Sequence, residues 1–142
     1  MALDPALLAL FAEGKLAVLA TIGASGQPHL TPVNYHYDPD RRLVRVSMTD
    51  DRVKVRNLRR DPRATLHVRS DDGWAYTSAD ADVELGDVTT SPDDEAMREL
   101  VEVYRLVAGR EHPDWDEYRQ AMIADRRLVA RFTLTRAYGQ PR

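Results

Sequence analysis

The sequence contains no cysteine. Disulfides, iron–sulfur clusters, cysteine-rich zinc sites and thiol nucleophiles are therefore excluded. It lacks an excess of positive charge, with a formal net charge of -3, so no global basic field is present to hold nucleic acid. No apolar run approaches the roughly 18 residues of a membrane span, and none is expected. The start, Met1-Ala2-Leu3-Asp4-Pro5, carries no basic segment ahead of an apolar stretch, so no signal peptide is expected and the cytoplasm is the expected location. No GxSxG, phosphate-binding loop or GxGxxG pattern occurs. His29, His36, His67 and His112 show no metal-ligand spacing, so no metal site is expected. No internal repeat, low-complexity stretch or linker interrupts the chain.

What is present is an ordinary globular balance: 142 residues, 43% hydrophobic and 30% charged. That length suits a single domain, residues 1–142, with a core that needs no covalent staple. Asp4-Pro5 reads as a helix cap and first turn, and Gly14 as the stop. Leu16 to Ile22 reads as a buried strand, His29 to Tyr37 as a second and Leu43 to Met48 as a third, joined by short polar turns in an antiparallel meander. Thr49-Asp50-Asp51 reads as the cap of a helix over Arg52 to Arg60, which Asp61-Pro62 ends. Two strands follow, Ala64 to Val68 and Trp74 to Leu85. Ser91-Pro92 then caps a long amphipathic helix to Gly109, and His112-Pro113-Asp114 leads into another ending near Asp125. Arg127 to Ala137 closes as a sixth strand. Hairpin links argue against a parallel sheet. The expected fold is mainly β, a six-stranded antiparallel barrel with peripheral helices.

The strongest local signal is the segment Arg52 to Arg60, where five of nine residues are cationic and none is acidic. A helix N-terminus offers free N–H groups and a positive dipole end, which suit a phosphate. Lys54 and Asn57, three residues apart, share a helix face. A solvated basic face that contacts nothing is an equal reading, and a nucleic-acid patch a lesser one. In the second signal, Pro28 to Tyr37, Pro32 interrupts a strand pattern and belongs on an edge, where a flat ligand or plain solvent would meet it. The third, Asp72-Gly73-Trp74-Ala75-Tyr76, is a tight turn that delivers two aromatics to one strand face. These could stack on a ring, although core or interface packing is the commoner use.

Together these stretches resemble a known family. Val18-Leu19-Ala20-Thr21-Ile22, Gly26-Gln27-Pro28-His29, Thr31-Pro32-Val33 and Lys54 to Ala64 are similar to the pyridoxamine 5′-phosphate oxidase-like split-barrel superfamily. Asp72-Gly73-Trp74 and Asp114 to Met122 resemble its actinobacterial branch, which uses the deazaflavin coenzyme F420. The resemblance implies a six-stranded split β-barrel and a homodimer with cofactor clefts at the subunit interface. It implies phosphate contacts from Arg52, Lys54 and Asn57, with Ser47 and Met48 nearby. Thr21, Thr31, Pro32 and Val33 would line the ring, Trp74 and Tyr76 would approach it from the partner subunit, and Arg126 would meet the polyglutamate tail. The final stretch, Ala137 to Arg142, departs from the Arg-Leu-x-Pro substrate segment of pyridoxamine phosphate oxidases proper. Vitamin B6 oxidation is therefore not expected. The implied activity is an oxidoreductase passing a hydride from reduced F420 to a small-molecule acceptor, with Tyr76 or His29 as candidate proton donors. An FMN-binding relative and a non-catalytic F420 carrier are the alternatives.

Overall fold

A computed structural model describes residues 3–142. Asp4 caps helix α1 (Pro5–Glu13), its Oδ1 accepting from the Ala6 amide at 2.9 Å, and the helix buries Leu7, Leu10 and Phe11. Strand β1 (Leu16–Ile22) pairs with β2 (Pro28–Asn34), and β3 (His36–Asp38) pairs with β4 (Leu43–Thr49). Helix α2 (Val53–Arg60) precedes β5 (Arg63–Arg69) and β6 (Tyr76–Leu85). Helices α3 (Glu95–Ala108) and α4 (Trp115–Ala124) lead to the long β7 (Arg127–Gln140).

The sheet is antiparallel with seven strands in the order β2-β1-β5-β6-β7-β4-β3, one more than expected. The extra strand comes from a break at Tyr35 in what reads as one continuous strand. Tyr35 turns its ring inward, where its hydroxyl donates to the Phe11 carbonyl at 2.7 Å and its amide donates to the Lys15 carbonyl at 2.9 Å. Before that residue the chain pairs with β1; after it, with β4. The two edge strands are therefore joined by a single residue, and the sheet curls on itself without a hydrogen-bonded seam between β2 and β4. This is a split barrel. A bulge between Asp80 and Ala81 lets β7 bend along β6. Near its end Gly139 has φ +152, and a Cβ there would lie 2.2 Å from the Tyr76 carbonyl oxygen, so the last turn of β7 against β6 requires glycine.

Phe11, Leu19, Tyr35, Val44, Met48, Leu66 and Phe132 fill the curl. A smaller cluster of Met97, Val101 and Tyr118, with Tyr104, Trp115 and Met122 against it, holds α3 and α4 together. Leu100, Val103 and Val129 fasten α3 to β7. Two expectations need correction. β1 is buried on one face only: Leu16 and Val18 are exposed on the other, because no layer formed by the described residues covers that side of the sheet. The cap of α3 is Asp94, not Ser91; its Oδ1 accepts from the Met97 amide at 2.8 Å. Among the described residues no helix is long and apolar enough to cross a membrane.

Candidate cofactor-binding cleft

The open seam between β2 and β4 holds two cavities that share Ser47, Lys54 and Arg127. One, of about 420 Å³, is also lined by His29, Thr31, Met48, Thr49, Arg52 and Val53. The other, of about 540 Å³, runs from Pro32, Val33 and Val46 to the inner sides of α3 and α4. The first is cationic. The second is mostly apolar and rich in rings.

The cationic end forms because α2 starts directly after β4 and its first turn faces the seam. Its N-cap, Arg52, is extended and makes no side-chain cap bond. The expected Thr49-Asp50-Asp51 cap does not form. The Thr49 hydroxyl donates to Asp125 at 2.8 Å, and Asp50 is engaged by Arg59 and, at 3.0 Å, by Arg126. The amides of Val53 and Lys54 therefore have no acceptor among the described residues. Arg52, Lys54 and Arg127 converge on them. Burial holds the Lys54 ammonium below the ordinary lysine pKa, and the charges of Arg52 and Arg127 push the same way. Arg127 has one acidic partner, Asp125 at 2.6 Å; Arg52 and Lys54 form no ion pair among the described residues. Three like charges around an uncapped helix end suit an anion.

Across the seam, the Thr31 hydroxyl and His29 Nδ1 are buried without a hydrogen-bond partner. Buried polar atoms are normally satisfied, so two orphans in one cavity mark a place built for something polar.

The sequence-derived residues fall into three groups. Thr31, Ser47, Met48, Arg52 and Lys54 line the cationic cavity, and Pro32 and Val33 line the ring-rich one. Thr21 and Asn57 line neither. The Asn57 amide donates to the Thr21 hydroxyl at 3.0 Å and its oxygen accepts from Arg60 at 2.8 Å, so this buried pair rivets α2 to β1. Asn57 and Lys54 are adjacent on the helix, but Asn57 turns inward. Replacing Asn57 with alanine strips the buried Thr21 hydroxyl of its donor, while exposed Arg60 keeps its bond to the Ile22 carbonyl, and is expected to cost about 1–3 kcal/mol in denaturant unfolding. Trp74 and Tyr76 are remote. Tyr76 pairs with Gln140, whereas the cleft is at Arg127, the opposite end of β7 and roughly 40 Å along the strand. Trp74 is 78% exposed. Arg126 is exposed and paired with Asp50.

Sequence reasoning missed Arg127 and the α3–α4 wall. Arg126 takes φ 53 in the turn and points outward, while Arg127 opens β7 and faces the cleft. The usable signal was the strand pattern starting at Arg127: neighbouring residues point to opposite sides, so only one of the two arginines could reach the seam. Tyr104, His112 and Met122 carry no motif and read only as packing.

The chain is thus an antiparallel split barrel whose cationic cavity shares Ser47, Lys54 and Arg127 with a ring-lined one. Comparison with known proteins narrows the class. The sequence profile described as pyridoxamine 5′-phosphate oxidase matches residues 3–140, and the chain belongs to that family. Solved structures with the same fold include a conserved hypothetical protein from Mycobacterium tuberculosis, 22% identical with a TM-score of 0.75, covering 99% of this chain and 86% of that one. An F420 reductase is 21% identical with a TM-score of 0.71, covering 96% and 98%. The heme storage protein HutZ from Vibrio cholerae is 16% identical with a TM-score of 0.68, covering 99% and 96%.

Proposed function

We propose that this chain is an F420-dependent oxidoreductase that reduces a small organic acceptor. The observation that carries the reading is the convergence of Arg52, Lys54 and Arg127 on the free amides of α2, at the mouth of a ring-lined cavity. The residues suit such a cofactor. Arg52, Lys54, Arg127 and the helix amides would hold its phosphate; the orphaned Thr31 hydroxyl and His29 Nδ1, with Pro32 and Val33, would face its ring. Arg126 is assigned the carboxylate tail. When bound and reduced, the cofactor supplies a hydride from its ring. The chain's own part is to fix the phosphate, orient the ring against β2 and keep water out of the seam. His29, which lines the cationic cavity, would pass a proton there; Tyr76 could do so only in the partner subunit's cleft.

The reading includes a homodimer, supported by the uncovered face of the sheet. Pro32, Val18, His67, Ser78 and Tyr138 form one cross-strand row on it, flanked by exposed Leu16, Leu30 and Tyr76. Pro32 belongs both to this face and to the cleft, so a second copy seated here would abut the ligand and could bring Trp74 and Tyr76 to it. A cytoplasmic location belongs to the same proposal. FMN is the second reading, favoured by the oxidase family match and by an anchor that reads a phosphate rather than a ring.

Stopped-flow oxidation tests the activity. Protein loaded with reduced F420 should be reoxidised faster in the presence of one or more α,β-unsaturated or quinoid acceptors than in acceptor-free buffer. Tight binding with no acceptor-dependent oxidation across such a panel would instead identify a carrier.

A further inference from the structure

The far end of the larger cavity is more specific than its apolar lining suggests. Tyr104, His112, Trp115 and Tyr118 pack edge-on or tilted against one another with ring centroids 5.1–5.7 Å apart. Tyr104, His112 and Tyr118 line the cavity wall beside Met122. Such a surface accepts a flat ring.

Polar groups at this end are few. Burial pushes the Tyr118 pKa up to about 12, so the hydroxyl keeps its single proton, and that proton is already donated to the Leu100 carbonyl at 3.0 Å. Glu117 is exposed at the cavity and, as a carboxylate, can only accept hydrogen bonds and repel anions. His112 differs. Its Nδ1 accepts from the Asp114 backbone amide at 2.9 Å. A backbone N–H always donates, so Nδ1 must be the bare nitrogen and the proton of the neutral imidazole must be on Nε2. The loop that starts α4 thereby fixes the tautomer: a directed N–H donor among rings.

We propose that His112 and the rings around it form a binding site for an uncharged planar conjugated carbonyl compound, a quinone or cyclic enone, whose oxygen accepts from His112 Nε2–H. This rests on the reading above insofar as the compound is taken to be the acceptor that the bound cofactor reduces. The same chemistry could instead belong to a carbonyl of the cofactor's own ring.

Equilibrium dialysis of the full chain with 2-methyl-1,4-naphthoquinone, and with 2-methylnaphthalene as the oxygen-free control, tests the site. The quinone should bind at least tenfold more tightly than the hydrocarbon. His112→Phe, which keeps the ring and removes the donor, should erase that difference; His112→Gln, which keeps an N–H, and Tyr104→Phe should retain most of it. Equal quinone affinity in His112→Phe and the parent would overturn the site, as would loss in Tyr104→Phe alone. Repeating the titration with F420 present separates the sources. Undiminished, His112-dependent quinone binding identifies an acceptor site, whereas competition together with weaker F420 binding by His112→Phe identifies the cofactor's carbonyl. If F420 does not bind but quinone binding still depends on His112, the site stands and the cofactor reading falls.

Discussion

Replacing Lys54 with methionine is expected to weaken binding of the phosphate-bearing cofactor roughly 10- to 100-fold, the worth of one charged hydrogen bond, while leaving the unliganded protein at least as stable. Most lysines lose stability or nothing when removed. This one is half-buried beside Arg52 and Arg127 and forms no ion pair among the described residues, so its charge is a cost in the unliganded protein. The sign of the pH effect follows. The folded-state pKa lies below the ordinary value, so below it both folded and unfolded chains carry the proton and the repulsion is felt in full. As the pH rises through the folded-state pKa, the folded chain loses the proton first and the penalty is relieved. Stability of the free protein should therefore gain on that alkaline flank while cofactor affinity falls, and Lys54→Met should flatten both trends. Thermal melts and binding titrations across the alkaline range check this. Arg52→Ala should weaken binding similarly without affecting the fold, since its side chain caps nothing.

Tyr35→Ala should be the most damaging single substitution in the barrel. Tyr35 is 1% exposed, packs its ring edge against Phe11 at 5.9 Å and ties the Phe11 carbonyl. Truncating a large buried aromatic costs about 3–5 kcal/mol. At roughly 3–4 °C per kcal/mol for a domain of this size, Tm should fall by about 9–20 °C. Tyr35→Phe isolates the hydroxyl and should cost about 1–2 kcal/mol, chiefly by stranding the Phe11 carbonyl. The effect should reach the cleft as well. Tyr35 is the one residue between β2 and β3, so loosening it frees the strand that carries His29, Thr31 and Val33. Tyr35→Ala should therefore weaken cofactor binding even at temperatures where the variant is folded, whereas an equally destabilising change at Phe132, on β7 and away from the seam, should not.

Much of the architecture was legible because turn chemistry and alternation are local. Asp4-Pro5, Asp71-Asp72-Gly73 and Asp61-Pro62 punctuate the chain where the elements begin and end. The basic segment was legible as well, because charge of one sign stands out in an acidic chain. What failed depended on neighbours distant in sequence. Nothing near Tyr35 announces a strand break; the bend exists because α1 presents the Phe11 carbonyl, and the link from α1 to β1 the Lys15 carbonyl, to it. Asn57 shares a helical face with Lys54, yet Thr21 on another strand draws it inward. Asp50 looked like a cap until Arg59 and Arg126 claimed it. The ring-lined end of the cleft is assembled from α3, α4 and the loop between them, whose aromatics come together only once the two helices are folded.

The central claim is that Arg52, Lys54 and Arg127 bind a cofactor phosphate and that the cofactor is F420. Its most direct test is an equilibrium titration of the purified protein with F420, with FMN and with a phosphate-free analogue of each, alongside Lys54→Met. The account predicts that F420 binds most tightly, that removing the phosphate abolishes most of the affinity, and that Lys54→Met binds the intact and phosphate-free forms almost alike. Equal affinity of the parent protein for F420 and its phosphate-free analogue, or Lys54→Met binding F420 as tightly as the parent, would contradict it.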